Sequence, residues 1–184
     1  MRTAVIDEHV ISELVIALAR NPRASLQELA TTVRIGKTTL YRYAKTREEL
    51  IDTLRERCVS TMLEAAQSAL QDSLPLVEAF SRLVHNHLAH KDACAFLLSY
   101  GRSPQTPRAQ EVDQKLQTYE QIMEAFFIRG QKEGLFKIGL TAIGLTDLFN
   151  YALAGLAESA LAGRVASLGL ENIATDLLLN GLRA

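Results

Sequence analysis

Seven basic residues and one acid fall between positions 20 and 47: Arg20, Arg23, Arg34, Lys37, Arg42, Lys45 and Arg47 against Glu28. The local net charge is +6, in a chain whose overall net charge is −1. Such a set of side chains has one strong chemistry open to it, the neutralisation of phosphates. A concentrated basic island in a near-neutral protein points to nucleic acid as partner. Thr38 and Thr39, between the cations, are of the small, polar kind that can approach bases, and the aromatic Tyr41 lies beside them.

Other chemistries find less support. His87, His90 and Cys94 have a spacing that would align them on one face of a continuous helix, but Lys91-Asp92 interrupts it. Zinc would also require a fourth ligand and a second shell, so no metal is expected. There is no Gly-rich phosphate loop and no nucleophile elbow, so neither an enzyme nor a cofactor is expected. The two cysteines, Cys58 and Cys94, make no disulfide framework and read as buried reduced thiols.

The elements that must position the basic island are helices. A chain of 184 residues, 48% hydrophobic and 22% charged, has ordinary globular composition. It has no apolar run long enough to span a membrane and no apolar signal core at its N-terminus, so a cytoplasmic protein is expected. Apolar periodicity gives helices over about 5–20, 26–32, 37–43, 46–71, 75–90, 91–100, 108–133, 141–163 and 168–183. Asn21-Pro22 ends the first; Ser25 with Glu28, and Thr46 with Glu49, have capping-box spacing. Gly101, Pro104 and Pro107 mark a loop, and Gly134 ends the seventh helix. The fold class is all-α with about nine helices, and no segment alternates with the period of a strand. Residues 1–57 carry 10 basic and 8 acidic groups and residues 58–184 carry 10 and 13, while nine of eleven aromatics lie after position 58. This is a small basic head on a larger acidic, apolar body.

The second and third helices have the form of a helix-turn-helix, with Leu40 as the apolar anchor of the reading helix and Ile35 and Leu29 as its partners. At Ile35-Gly36-Lys37-Thr38-Thr39-Leu40-Tyr41-Arg42-Tyr43, followed by Thr46-Arg47-Glu48-Glu49-Leu50, the chain resembles the TetR family of transcriptional repressors. The motif covers about 25 residues; helix order and length match the family throughout, and the 126–136 stretch FFIRGQKEGLF resembles the end of its seventh helix. Arg34 stands where the turn glycine is usual, Gly36 where a capping Ser is usual, and Ala44 where Phe is common. Only Arg2 precedes the first helix, so no minor-groove arm is expected.

The resemblance implies a DNA-binding head at 1–46 and a ligand-binding, dimerising body at 47–184. Lys37, Thr38, Thr39, Tyr41, Arg42, Lys45 and Arg47 are then the DNA-binding residues, with Tyr43 turned to the body. The eighth helix is apolar almost all round and the ninth strongly so, more than one protomer can cover. The resemblance makes them a four-helix homodimer interface, and Leu145, Leu148, Ala152, Leu156, Ile173 and Leu177 are its expected members. It also implies an inducer cavity in the body. His87, Phe96, Tyr100, Tyr119, Met123, Phe127, Phe149 and Asn150 are the expected lining, suited to an apolar or aromatic small molecule. The expected function is a ligand-responsive homodimeric repressor of a palindromic double-stranded DNA operator. The alternative is a helical protein-interaction module without DNA binding.

Overall fold

The computed structural model describes residues 7–70, 74–101 and 107–183. Nine helices occur among them: α1 (Glu8–Arg20), α2 (Leu26–Thr32), α3 (Lys37–Tyr43), α4 (Arg47–Ala69), α5 (Leu76–Ala89), α6 (Lys91–Tyr100), α7 (Pro107–Lys132), α8 (Ala142–Leu161) and α9 (Leu170–Leu182). Among the described residues there is no strand, only an isolated bridge between Phe136 and Arg183. The start expected for the first helix, Arg2, Gln71 at the end expected for the fourth, and Pro104 lie outside the described residues.

Local chemistry sets the head. In α1, Ile11, Leu14, Val15 and Leu18 recur at helical spacing and are buried. Ser25 and Glu28 close a reciprocal capping box on α2. The Thr46 hydroxyl accepts from Glu49 N at 3.1 Å, and Glu49 Oε2 accepts from Lys45 N at 2.8 Å, which fixes the entry into α4. Leu40 on α3 and Leu50 and Leu54 on α4 are fully buried and join the head to the body in one core.

Helix α4 runs roughly 35 Å through the molecule and packs against α5, α6 and α7. Helix α8 lies on α6 and α7, and α9 on α5. The centre of the body is aromatic: the rings of Phe80, Phe127, Phe136 and Phe149 lie 5.1–6.3 Å apart in tilted and edge-on pairs. Gly130 admits Phe136 to this cluster, because a Cβ there would lie 2.2 Å from the Phe136 ring. Gly134 takes a left-handed conformation (φ 75°) just after α7 and turns the chain back toward it.

Head and body meet at several points. Helix α1 packs on α6. Glu8 of α1 pairs with Arg57 of α4. At the far end of α1, Arg20 donates to the Leu161 carbonyl at the end of α8, at 2.7 Å. Arg20 is exposed and has this one carbonyl partner in the body.

Candidate functional site

The short helix α3 is held by Leu40, which is fully buried, and by half-buried Ile35 and Tyr43. Everything else on it faces outward. Lys37, Thr38, Tyr41 and Arg42 are exposed, Thr39 is half-buried, and Lys45 is exposed just beyond the helix. Among the described residues, no ion pair engages Lys37, Arg42 or Lys45, so all three charges are available to a partner. Arg34, in the turn before α3, has a positive φ of 56°, the conformation for which glycine is the usual residue.

Arg47 departs from the expected phosphate contact. Its guanidinium turns inward: Nε donates to the Ala24 carbonyl at 3.0 Å, and a terminal nitrogen donates to the Pro22 carbonyl and to the Tyr100 hydroxyl. Tyr100 Oη in turn donates to the Pro22 carbonyl at 2.9 Å. Arg47 thus ties the α1–α2 loop, α4 and the end of α6 together. A neighbouring cation does similar work. Arg55, 1% exposed, pairs with Asp113 and donates through Nε to the Gly101 carbonyl at 3.0 Å.

The body contains a cleft of about 250 Å³. Its apolar wall comes from Val59 and Met62 of α4, Leu97 and Leu98 of α6, and Leu116 of α7. Its polar groups include His87, Ser99, Tyr119, Asn150 and Tyr151, with Glu120 and Asp147 as the carboxylates. Tyr119 Oη lies 2.9 Å from His87 Nε2 and 2.6 Å from the Asn150 carboxamide, and His87 Nδ1 lies 2.7 Å from the Leu83 carbonyl. Burial lowers the His87 pKa from 6.5 to about 4, against the raising effect of the Leu83 hydrogen bond, so the ring is neutral at neutral pH. Burial also raises the Tyr119 hydroxyl well above its ordinary range.

Of the expected lining, His87, Tyr119 and Asn150 meet in the cleft. Met123, Phe127 and Phe149 do not: they pack in the closed core, the two phenylalanines within the aromatic cluster. Phe96 is fully buried with its ring 4.7 Å from that of Tyr100, and Tyr100 belongs to the Arg47 junction instead of the lining. The lining residues missed were Glu120, Asp147, Tyr151 and Ala154 among others. The spacing of Asp147, Asn150, Tyr151 and Ala154 marks one face of α8 and was the signal available.

The expected interface also divides. Leu145 is fully buried inside the protomer, which removes it from any dimer surface. Leu148, Ile173 and Leu177 are exposed, and Ala152 and Leu156 half-buried. The two cysteines are buried, and burial raises both thiols. Among the described residues no group of His, Cys, Asp or Glu is arranged to hold a metal ion, and no helix is long and apolar enough to cross a membrane.

A helix-turn-helix head on an all-α body with a cleft defines a class of protein, the helix-turn-helix transcriptional regulator. No family model matches the chain. It is 31% identical over 175 residues to the HTH-type transcriptional regulator NfxB of Pseudomonas aeruginosa, covering 95% of this chain and 93% of that protein. Its fold is similar to that of the TetR family regulator PfmR from Thermus thermophilus, with a TM-score of 0.68, 18% identity and 98% of each chain covered. It is also similar to the regulator FadR of Bacillus subtilis solved with stearoyl-CoA, with a TM-score of 0.64, 15% identity, and 96% and 100% of the two chains covered. The chain belongs to the TetR family of transcriptional regulators.

Proposed function

We propose that the protein is a homodimeric repressor whose residues 1–46 read a palindromic operator and whose body, 47–184, releases it when an apolar or aromatic small molecule enters the cleft. The observation that carries this reading is the end of α6. Leu97, Leu98 and Gly101 line the cleft, while Tyr100, between them, bonds to Arg47 and to the Pro22 carbonyl. An occupant that displaces this turn also displaces the contacts that orient the head. A coupling of about 1–3 kcal/mol is typical of such linkage and suffices for release.

Base contacts from α3 supply specificity and phosphate contacts from Lys37, Arg42 and Lys45 supply affinity. Pairing through the outer faces of α8 and α9 fits the exposure of Leu148, Ile173 and Leu177. The acyl-CoA held by the Bacillus FadR is not carried over, because such a polyanion calls for cations and the described lining includes no Lys or Arg.

The test is operator selection from random DNA followed by release titrations with wild type and Tyr100→Phe. The variant keeps the ring against Phe96 and loses the hydroxyl, so its head is oriented less tightly and its operator affinity falls. Equal affinity and equal release in both proteins would refute the coupling route. Undetectable DNA binding across the library would refute the repressor reading. Leu177→Glu should leave the protomer folded and abolish the dimer in sedimentation; a wild type that is monomeric at micromolar concentration would refute the assembly.

A further inference from the structure

The turn between α2 and α3 carries a residue that its backbone disfavours. Ile35 N donates to the Ala30 carbonyl at 3.0 Å, and Arg34 N donates to the Thr31 carbonyl at 3.2 Å. These nested bonds close α2 in a Schellman motif, whose left-handed position falls on Arg34, with φ at 56°. Half-buried Ile35 packs on the core and supplies the motif's apolar contact. Glycine takes the left-handed conformation freely, whereas a side chain crowds the following carbonyl oxygen. An arginine at this position costs stability.

No contact within the protein offsets that cost. Arg34 is exposed, and among the described residues no ion pair engages its guanidinium. Glu28, the one acid of the basic island, is bonded to Ser25 in the capping box. Thr31 and Thr32 donate their hydroxyls back into α2, to the Gln27 and Glu28 carbonyls. The Arg34 charge stands free beside Gly36, Lys37 and Thr38, the exposed run that opens α3. Strain held at an exposed position without an internal partner points to a contact outside the fold. In a helix-turn-helix the first helix crosses the DNA backbone, and the N-terminal residues of the second reach base edges. The turn between them stands at the rim of the groove, where phosphate oxygens are the nearest acceptors, and the guanidinium fork matches two of them at once. We propose that Arg34 is a DNA-binding residue that clamps a backbone phosphate at the rim of the groove α3 enters. This rests on the reading of residues 1–46 as the operator-reading head.

The experiment measures the affinity of the full-length protein for its selected operator and for unrelated duplexes over a range of salt, alongside thermal unfolding. Arg34→Gly should weaken binding to every duplex by about tenfold and lower the salt slope of log affinity by about one. The same variant should raise the melting temperature by roughly 2–4 °C, since it relieves the backbone. Binding and stability then move in opposite directions, which a merely structural role would not do. Arg34→Asn, whose short side chain tolerates the left-handed turn, should lose the same affinity and slope. Arg34→Lys keeps the charge and the slope but loses the fork, and should weaken binding less than Arg34→Gly. Lys37→Ala serves as the comparison on α3 itself.

Wild-type affinity and slope in Arg34→Gly and Arg34→Asn overturn the inference; if Lys37→Ala still lowers the slope, the operator-reading head stands without Arg34. A loss confined to particular base pairs, with the slope unchanged, assigns Arg34 to a base edge and overturns the phosphate contact. Weaker binding together with a lower melting temperature in both variants makes its role structural and overturns the inference too. No DNA bound across the library overturns the inference and the operator reading together.

Discussion

The reading head and the cleft both set polar groups over an apolar floor, and they hold them by opposite means. On α3 the cations stand in water, each placed by helix geometry above a single buried leucine, Leu40. In the cleft, His87, Tyr119 and Asn150 hold one another, across sequence separations of 32 and 31 residues. An exposed cation keeps its charge whatever its neighbours do. A buried imidazole has its proton decided by them. The head is thus built from side chains that act singly, and the cleft from side chains that act as a set.

That contrast can be broken in four places. The largest effect should come from the floor of the body. Phe149→Ala removes a fully buried ring from the aromatic cluster and should cost about 3–5 kcal/mol of unfolding free energy. Leu98→Ala, on the cleft wall and 39% exposed, should cost less than about 1 kcal/mol. Denaturant titration of both variants distinguishes closed core from open lining; equal losses would mean the cleft is as tightly filled as the core.

The second effect is one of pH. The folded state keeps His87 neutral down to about 4, whereas the unfolded chain takes up a proton near 6.5. The unfolded state therefore binds more protons in this window and stability rises with pH through it. The contribution is whole above the upper value, declines as pH falls, and is gone below the lower one, an amount of about 3 kcal/mol. His87→Gln should show a flatter stability profile between these limits; an unchanged profile would assign the acid sensitivity to other groups.

The third sets two cations of the basic island against each other. Lys37→Ala should weaken operator binding by about tenfold and reduce the salt slope of log affinity by about one, as loss of a phosphate contact does. Arg47→Ala should leave that slope unchanged and lower the melting temperature, because its bonds run to Pro22, Ala24 and Tyr100. A slope lowered by the Arg47 variant would return that residue to the phosphates. The smallest effect belongs to Arg34→Gly. Relief of the left-handed backbone should stabilise the fold by about 1 kcal/mol, measured by thermal unfolding.

What could be read in the sequence follows the same division. The helices, the Ser25–Glu28 box and the anchoring of α3 by Leu40 depend on residues a few positions apart, and local pattern exposes them. Arg47 could not be read this way: its type and its place in the basic island suggested phosphate, while its partner Tyr100 lies 53 residues on. Large apolar side chains carry no mark of whether they face a void or one another, so Phe96, Met123, Phe127 and Phe149 read as lining and are core. Helix α8 is apolar almost all round, with few polar residues to mark its phase. Leu145 and Leu148 looked equivalent there, yet one is inside the protomer and the other on its surface.

The bond from Arg20 to the Leu161 carbonyl has a mechanical consequence. It fastens one end of the head's first helix to α8, while Tyr100 and Arg47 fasten the α1–α2 loop to α6. These two attachments belong to different parts of the body, and only the second adjoins the cleft. If the α6 attachment loosens, the head is still held at both ends of α1, by the Arg20–Leu161 bond and the Glu8–Arg57 pair. Under the proposed function, the tilt of α3 about that two-point axis, more than its distance from the body, is then the quantity left for an occupant of the cleft to change.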